Sequence, residues 1–208
     1  MMTSKILQFA GAIALTATLQ LHAADAASYI SQPGSKMRIE GTSTIHDWHA
    51  ESKLIGGRFE CPADFPVTEP AKAKVGKVDF SAATMIMANS FSCSSGSAMD
   101  KVMRGAMKAD QHRFIRYTLK EATVKEAKAD SVLLSTKGDL SVSGITKSVS
   151  MDVTMKPAGA DKLTFSGTTK VKMTDFGIQP PSPAVSLGLI KTADDVTLKF
   201  EWKTVLKK

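Results

Sequence analysis

Histidine, serine, cysteine and methionine side chains are the groups of this 208-residue chain that could do chemistry. His46 and His49 lie three positions apart, a spacing that can hold a metal ion on a helix or supply a general base in a cleft. The surrounding alternation predicts a turn between strands instead, where residues three apart face different ways. Ser43 and Ser90 have no identifiable base, and neither Gly-x-Ser-x-Gly nor His-Glu-x-x-His occurs. Catalysis through these histidines or His112 is therefore the weaker alternative, and we expect no catalytic group and no metal.

The cysteines are two in number, Cys61 and Cys93. An even count favours pairing in an oxidising compartment, and the bridge would contribute about 3 to 4 kcal/mol in the chain-entropy picture. The alternative is a pair of unpaired buried thiols. We predict a disulfide between Cys61 and Cys93.

The N-terminus has the pattern of a secretory signal. Lys5 precedes an uncharged run over residues 6–24, and Ala-Asp-Ala at its end has the spacing that a signal peptidase needs. The run is Ala/Thr-rich and includes a glutamine and a histidine, which favours cleavage over a retained membrane anchor. We expect residues 1–26 to be removed, leaving a domain over 27–208 that is periplasmic or secreted, without stable membrane insertion.

The net charge of +7 is compatible with nucleic acid, an anionic lipid or simple solubility. Lys170, Lys172, Lys199 and Lys203 alternate with apolar residues, which places their charges on the outer faces of strands. The sequence has no arginine-rich helix, aromatic stacking motif or zinc-finger spacing. We expect no nucleic-acid partner.

Alternation of apolar and polar residues predicts strands over most of the chain. It is clearest at residues 138–155, where two apolar runs flank a glycine-containing link at 144–147 and predict an antiparallel hairpin. Half of a β-sandwich would explain this hairpin equally well. Further strands are predicted at residues 37–45, 48–55, 78–86, 115–120, 132–134, 163–173 and 196–202.

Sequential strands with short links, about eight in all, favour an all-β fold, an up-and-down antiparallel barrel. Closing the last strand onto the first would also remove exposed sheet edges.

One amphipathic α-helix is predicted near the middle of the chain, at residues 96–109. Ser97 and Asp100 have the spacing of a capping box at its start. Its apolar residues recur at helical spacing: Met99, Val102, Met103, Ala106 and Met107. Thioethers are soft copper ligands, but methionine stripes more commonly serve as packing, here as a candidate lid or plug.

Four segments in order, Gly41-Thr-Ser-Thr-Ile-His-Asp-Trp48, Met107-Lys-Ala-Asp110, residues 138–147 and Asp175-Phe-Gly-Ile178, resemble the YceI-like family. The resemblance implies an extended lipocalin-like barrel with an elongated apolar cavity. It also implies binding of isoprenoids or other long-chain amphiphiles in the periplasm, and no catalytic group.

An eight-stranded barrel either is filled by side chains or holds one small ligand. The residues alone support both equally, and the resemblance favours a cavity for an isoprenoid or fatty-chain molecule, such as a polyprenyl quinone, with no other cofactor. The alternative is a stress or interaction protein whose barrel is filled and whose loops at 61–73 and 175–189 bind a partner. Homodimerisation is compatible with the sequence, but no strand edge decides it. The inferred cavity-lining residues are Ile39, Trp48, Leu54, Phe80, Met103, Met107, Tyr117, Leu140, Val142, Met151, Phe165, Phe176, Leu187 and Phe200.

Overall fold

A computed structural model describes residues 26–182 and 190–208 of the chain, and its strands form a single antiparallel sheet. The strands are β1 Ala26–Ser31, β2 Lys36–Ser43, β3 Asp47–Ser52, β4 Gly56–Pro62, β5 Gly76–Val78, β6 Ser81–Met87, β7 Ser92–Cys93, β8 Phe114–Ala127, β9 Val132–Val142, β10 Ile145–Pro157, β11 Lys162–Lys172 and β12 Thr192–Leu206. The helix α1 spans Ser97–Ala106, and short 3₁₀ turns lie at Pro70–Lys72, Ala88–Ser90 and Thr174–Phe176.

The sheet closes into a barrel through β1, which pairs with both β4 and β12. Tyr29 lies opposite Phe59 on one side and opposite Leu206 on the other. The closed ring runs β1, β4, β6, β8, β9, β10, β11, β12 and back to β1. The predicted all-β barrel with one α-helix is therefore confirmed.

The short strands combine into three longer strands, each of which is interrupted. β1 and β2 both pair with β12, since Ser31 lies opposite Thr204 and Lys36 opposite Glu201. β3 and β4 form a second such strand, and β5, β6 and β7 form a third. With β8 to β12, these three complete the eight up-and-down strands that the sequence predicts.

One local prediction needs correction, and the sequence interpretation misses one strand. The β9–β10 link is shorter than the predicted 144–147: Ser143 and Gly144 alone make the turn, with φ of 50° and 80°. Positive φ at both central residues is the geometry of a type I′ hairpin turn, which matches the twist of the strands. β1 was not predicted at all, because its first residues are the weak strand formers alanine and serine.

The predicted capping box at the start of α1 is also wrong. Gly96 is the N-cap residue and no side chain caps the helix. Asp100 turns instead to β7, where its Oδ1 accepts a hydrogen bond of 2.6 Å from the backbone N–H of Cys93. The helix thus begins beside the end of β7 and is tied to it. Within the described ranges, no helix is long and apolar enough to cross a bilayer.

The predicted disulfide is wrong, because Cys61 and Cys93 are both free thiols. Cys93 lies opposite Ala50, whereas Cys61 lies eleven positions beyond Ala50 along the interrupted strand β3–β4. At about 3.3 Å per residue this separation is on the order of 30 Å, while a disulfide needs Cα atoms within roughly 7 Å. An even number of cysteines does not indicate how far apart the fold places them.

An aromatic cluster fills one end of the barrel. The Phe59 ring lies 5.2 Å from Phe80 and 4.7 Å from Phe165, between centroids, and Phe65 of the loop after β4 packs edge-on against Phe80 at 4.7 Å. Trp202 stacks next to Phe165 at 5.3 Å. We name this the aromatic end. The opposite end, which carries α1 and the turn Thr174–Phe176, is the helix end.

Candidate ligand-binding site

The barrel encloses an apolar space of about 120 Å³ above the aromatic cluster, which we name the inner cavity. The rings of Phe80, Phe165 and Phe200 form much of its wall, together with aliphatic residues of β6, β8, β9 and β10. An engineered apolar cavity of roughly 150 Å³ in another protein stays dry and accepts benzene. Side chains therefore do not fill the barrel completely at this level.

A second space of about 180 Å³, the outer cavity, lies at the helix end. Met99 and Met103 of α1, with Met107 directly after the helix, cover it on one side. Trp48 and Phe176 line other parts of its wall. Methionine adapts its shape easily, so α1 is suited to cover ligands of different width.

The two cavities are adjacent, since they share the wall residues Met37, Ile115, Leu140 and Leu198. They therefore follow one another along the barrel axis, from the aromatic end to the helix end. An elongated apolar space of this kind suits a chain-like ligand better than a compact one.

The structure brings most of the predicted lining residues together on these walls, although their role as ligand contacts stays a prediction. The inner wall has Phe80, Tyr117, Leu140, Met151, Phe165 and Phe200. The outer wall has Ile39, Trp48, Met103, Met107, Leu140, Val142 and Phe176. Leu187 lies outside the described residues.

The assignment of Leu54 to the cavity wall is wrong. Its side chain is 56% exposed, whereas the neighbouring Ile55 is 7% exposed and lines the inner cavity. The strict alternation ends at Ser52, where β3 stops, and the connection to β4 shifts the inward face by one residue. Gly56 and Gly57 were the available signal, since a pair of glycines in a strand marks such a bulge.

The sequence interpretation also missed wall residues such as Met37, Leu134 and Trp202. Met37 and Trp202 share the inward face of their strands with Ile39 and Phe200, so the period of two could have supplied them.

Glycines keep the interior open by letting aromatic rings lie against the wall. A Cβ atom on Gly138 would lie 2.5 Å from Cζ of Tyr117, and one on Gly167 would lie 2.7 Å from Cε1 of Phe200. Gly41 makes the same close approach to Trp48. Any larger residue at these positions would displace the ring.

The thiols behave as apolar groups. Burial raises the pKa of Cys93 to about 11, and Asp100 adds to this rise. Burial, with a smaller effect of Asp64, also raises the pKa of Cys61 to about 11. The Cys93 thiol lies on the outer cavity wall, 3.8 Å from Sδ of Met103.

The candidate catalytic groups are engaged with the backbone. Ser43 Oγ donates to the carbonyl of His46 at 2.7 Å, and Ser90 Oγ donates to that of Met87 at 2.6 Å. His46 Nδ1 lies 2.9 Å from the carbonyl oxygen of Asp47. In the part of the chain that the structure describes, no group of three histidine, cysteine or acidic residues is placed to hold a metal ion.

Solved structures of low sequence identity share this fold. Burkholderia cenocepacia BcnA aligns with a TM-score of 0.62 at 20% identity, over 81% of this chain and 95% of that protein. A polyisoprenoid binding domain from Saccharophagus degradans aligns with a TM-score of 0.64 at 12% identity, over 87% and 99% of the two chains. A YceI protein of Campylobacter jejuni aligns with a TM-score of 0.52 at 19% identity, over 76% and 84%.

Comparisons of the sequence identify the family of the chain. A UPF0312 protein of Shewanella baltica is 29% identical over 180 residues, which cover 81% of this chain and 87% of the relative. The sequence model of the YceI-like domain matches residues 42–204, from the end of β2 almost to the end of β12. This chain belongs to the YceI-like domain family.

Proposed function

We propose that this protein binds a long-chain isoprenoid or another lipid-like amphiphile inside its barrel, as a carrier or sensor and not as an enzyme. The observation that carries the proposal is the pair of adjacent apolar cavities along the barrel axis. The Saccharophagus degradans neighbour, described as a polyisoprenoid binding domain, supports the same class of ligand.

Burial of the ligand's apolar surface would drive binding. Each square ångström removed from water contributes about 25 cal/mol, from which the cost of ordering the chain is subtracted. The walls supply apolar contact along the whole path from Phe165 to Met99. They hold few polar groups, which suits carriage of an intact molecule better than its chemical conversion.

We place this activity in the periplasm or outside the cell, after removal of residues 1–26. The support is the signal pattern of the sequence. Homodimerisation stays a prediction.

The test is native mass spectrometry of the full chain, expressed with its own leader and purified from the periplasm, followed by organic extraction. A stoichiometric isoprenoid or acyl-chain adduct is the expected result. Bare protein that also stays bare after incubation with polyprenyl quinones and fatty acids would contradict the proposal.

A variant whose cavity is blocked by a larger side chain tests whether the ligand lies inside the barrel. Leu140 lines both cavities, so Leu140→Trp should fill their junction and remove most of the bound lipid. Lys137→Trp adds the same side chain to the exposed face of the same strand, β9, and should keep the lipid. Equal lipid content in the two folded variants would show that the ligand does not occupy the barrel.

A further inference from the structure

The inner cavity contains a phenol among its apolar residues. Tyr117 of β8 lines this cavity, and its hydroxyl oxygen is buried without a hydrogen-bond partner among the described residues. Thr136 is near enough to influence the pKa of Tyr117, but no hydrogen bond of standard geometry joins the two side chains. The Thr136 hydroxyl instead donates to the carbonyl of Met151 at 2.8 Å. Since buried tyrosine hydroxyls usually have a partner, this one calls for an explanation.

The backbone holds the phenol in this position. The ring lies directly over Gly138 of the neighbouring strand, where a Cβ atom would be 2.5 Å from the hydroxyl oxygen. Tyr117 and Gly138 both lie in the interior of long paired strands, Phe114–Ala127 and Val132–Val142. The hydroxyl is therefore a fixed feature of the wall.

The hydroxyl is available as a donor. Burial raises the pKa of Tyr117, an effect that Asp139 reinforces and Thr136 opposes. The group thus stays protonated at any pH near neutrality, and the buried O–H can donate to an acceptor that enters the cavity.

The rest of the wall excludes an ionised acceptor. Among the described wall residues of the inner cavity, Arg116 alone is charged, and its side chain is exposed, with Cζ 5.0 Å from the centroid of Phe114. A carboxylate or phosphate in this cavity would be buried without a counter-charge, which is strongly unfavourable. A neutral carbonyl, ether or alcohol oxygen carries no such penalty.

We propose that the Tyr117 hydroxyl binds a neutral oxygen of the ligand inside the inner cavity. The ligand class is thereby narrowed to isoprenoids or lipids with an uncharged polar group that is buried in the barrel. Ionised amphiphiles would have to keep their head group outside this cavity. This inference rests on the proposed function and specifies which atom of the wall selects the ligand.

The test compares two probes that differ in one oxygen. Geranylgeranylacetone has a carbonyl as its polar group, and its deoxygenated hydrocarbon has none. For the ketone, Tyr117→Phe should weaken binding about 3- to 10-fold, as expected for loss of one net hydrogen bond. For the hydrocarbon, the same substitution should leave the affinity unchanged. Infrared spectra should show a carbonyl band of bound ketone at lower frequency in the wild type than in Tyr117→Phe.

Thr136→Val is the matched control, because it removes the other hydroxyl at this position of the wall. It should leave the ketone band and the preference of the protein for the ketone in place. Equal losses for both probes in Tyr117→Phe would assign the tyrosine to packing, and an unshifted carbonyl band would overturn the proposal.

The wild-type protein separates this inference from the proposed function. If it binds both probes and Tyr117→Phe changes nothing, the barrel binds lipids but the assigned hydrogen bond is wrong. If it binds neither probe and carries no lipid when purified, both proposals fail together.

Discussion

The residues of the site illustrate how an unusual environment changes an ordinary side chain. Cys93 lies on the outer cavity wall, where its thiol contacts the thioether of Met103. With a pKa of about 11 it remains a neutral thiol, so that the wall stays apolar at physiological pH. The thiol thus belongs to the wall of the outer cavity and not to a bridge.

The thiols should react slowly and with a displaced pH dependence. Because the thiolate is the reactive form, raising the pKa from 9.0 to about 11 lowers its fraction at pH 8 about a hundredfold. Alkylation of the folded protein should accelerate up to about pH 11, while the denatured chain levels off near pH 9. Rates measured by iodoacetamide labelling and mass spectrometry check this expectation.

The two cysteines provide an internal comparison. Cys93 is less buried than Cys61 and lines the outer cavity, so it should label first, and a bound lipid should protect it further. A disulfide-linked, unreactive protein would contradict the register of β4 and β7.

At the scale of elements, alternation predicted the barrel well but failed at the interruption between β3 and β4. The period of two placed Tyr117 and Phe200 on the inner wall, because both residues lie within continuous paired stretches. Leu54 was misplaced because the interruption between β3 and β4 shifts the inward face. Periodicity carries no information about such shifts, which depend on pairing with neighbouring strands.

The site was less predictable than the strands. The position of the Tyr117 hydroxyl depends on its contact with Gly138, and that contact depends on a diagonal register between β8 and β9. The hydrogen bond that Asp100 accepts from Cys93 likewise joins α1 to another element, β7. Local spacing predicts which residues face inward, whereas partners from other strands decide what each side chain does there.

Replacement of a wall glycine should narrow the inner cavity. In Gly167→Ala the new Cβ would lie 2.7 Å from Cε1 of Phe200, so the ring must move into the lumen. We expect a loss of about 1 to 3 kcal/mol in stability, as for other overpacked cores, together with weaker lipid binding. Urea unfolding and lipid retention measure the two effects.

Gly105 offers a matched control for this substitution. It lies inside α1 with nothing near its missing Cβ, so Gly105→Ala should stabilise the protein by about 0.5 to 1 kcal/mol and leave lipid binding intact. Adding Phe200→Leu to Gly167→Ala should recover part of the lost stability. Additive effects of these two substitutions would show that ring and glycine do not interact.

For the whole molecule, closure of the barrel depends on β1, the shortest strand of the closed ring. β1 has six residues, yet it covers the edges of both β4 and β12. Its Tyr29 packs against Phe59 at 6.1 Å, and the buried Trp202 donates from Nε1 to Ser31 Oγ at 2.7 Å. The chain segment nearest the predicted cleavage site therefore completes the aromatic end of the cavity.

Loss of residues 1–26 should therefore leave the closed barrel intact, whereas loss of β1 should not. A protein that begins at residue 27 keeps all but the first residue of β1 and should fold with its lipid, whereas one that begins at residue 32 should not. The shorter chain exposes two unpaired strand edges, which favour aggregation, and leaves the indole N–H of Trp202 buried without its acceptor. Size-exclusion chromatography and thermal unfolding of the two chains distinguish these outcomes. If the chain from residue 32 were monomeric and as stable as the longer one, β1 would be dispensable, and the closed cavity would have to be formed without it.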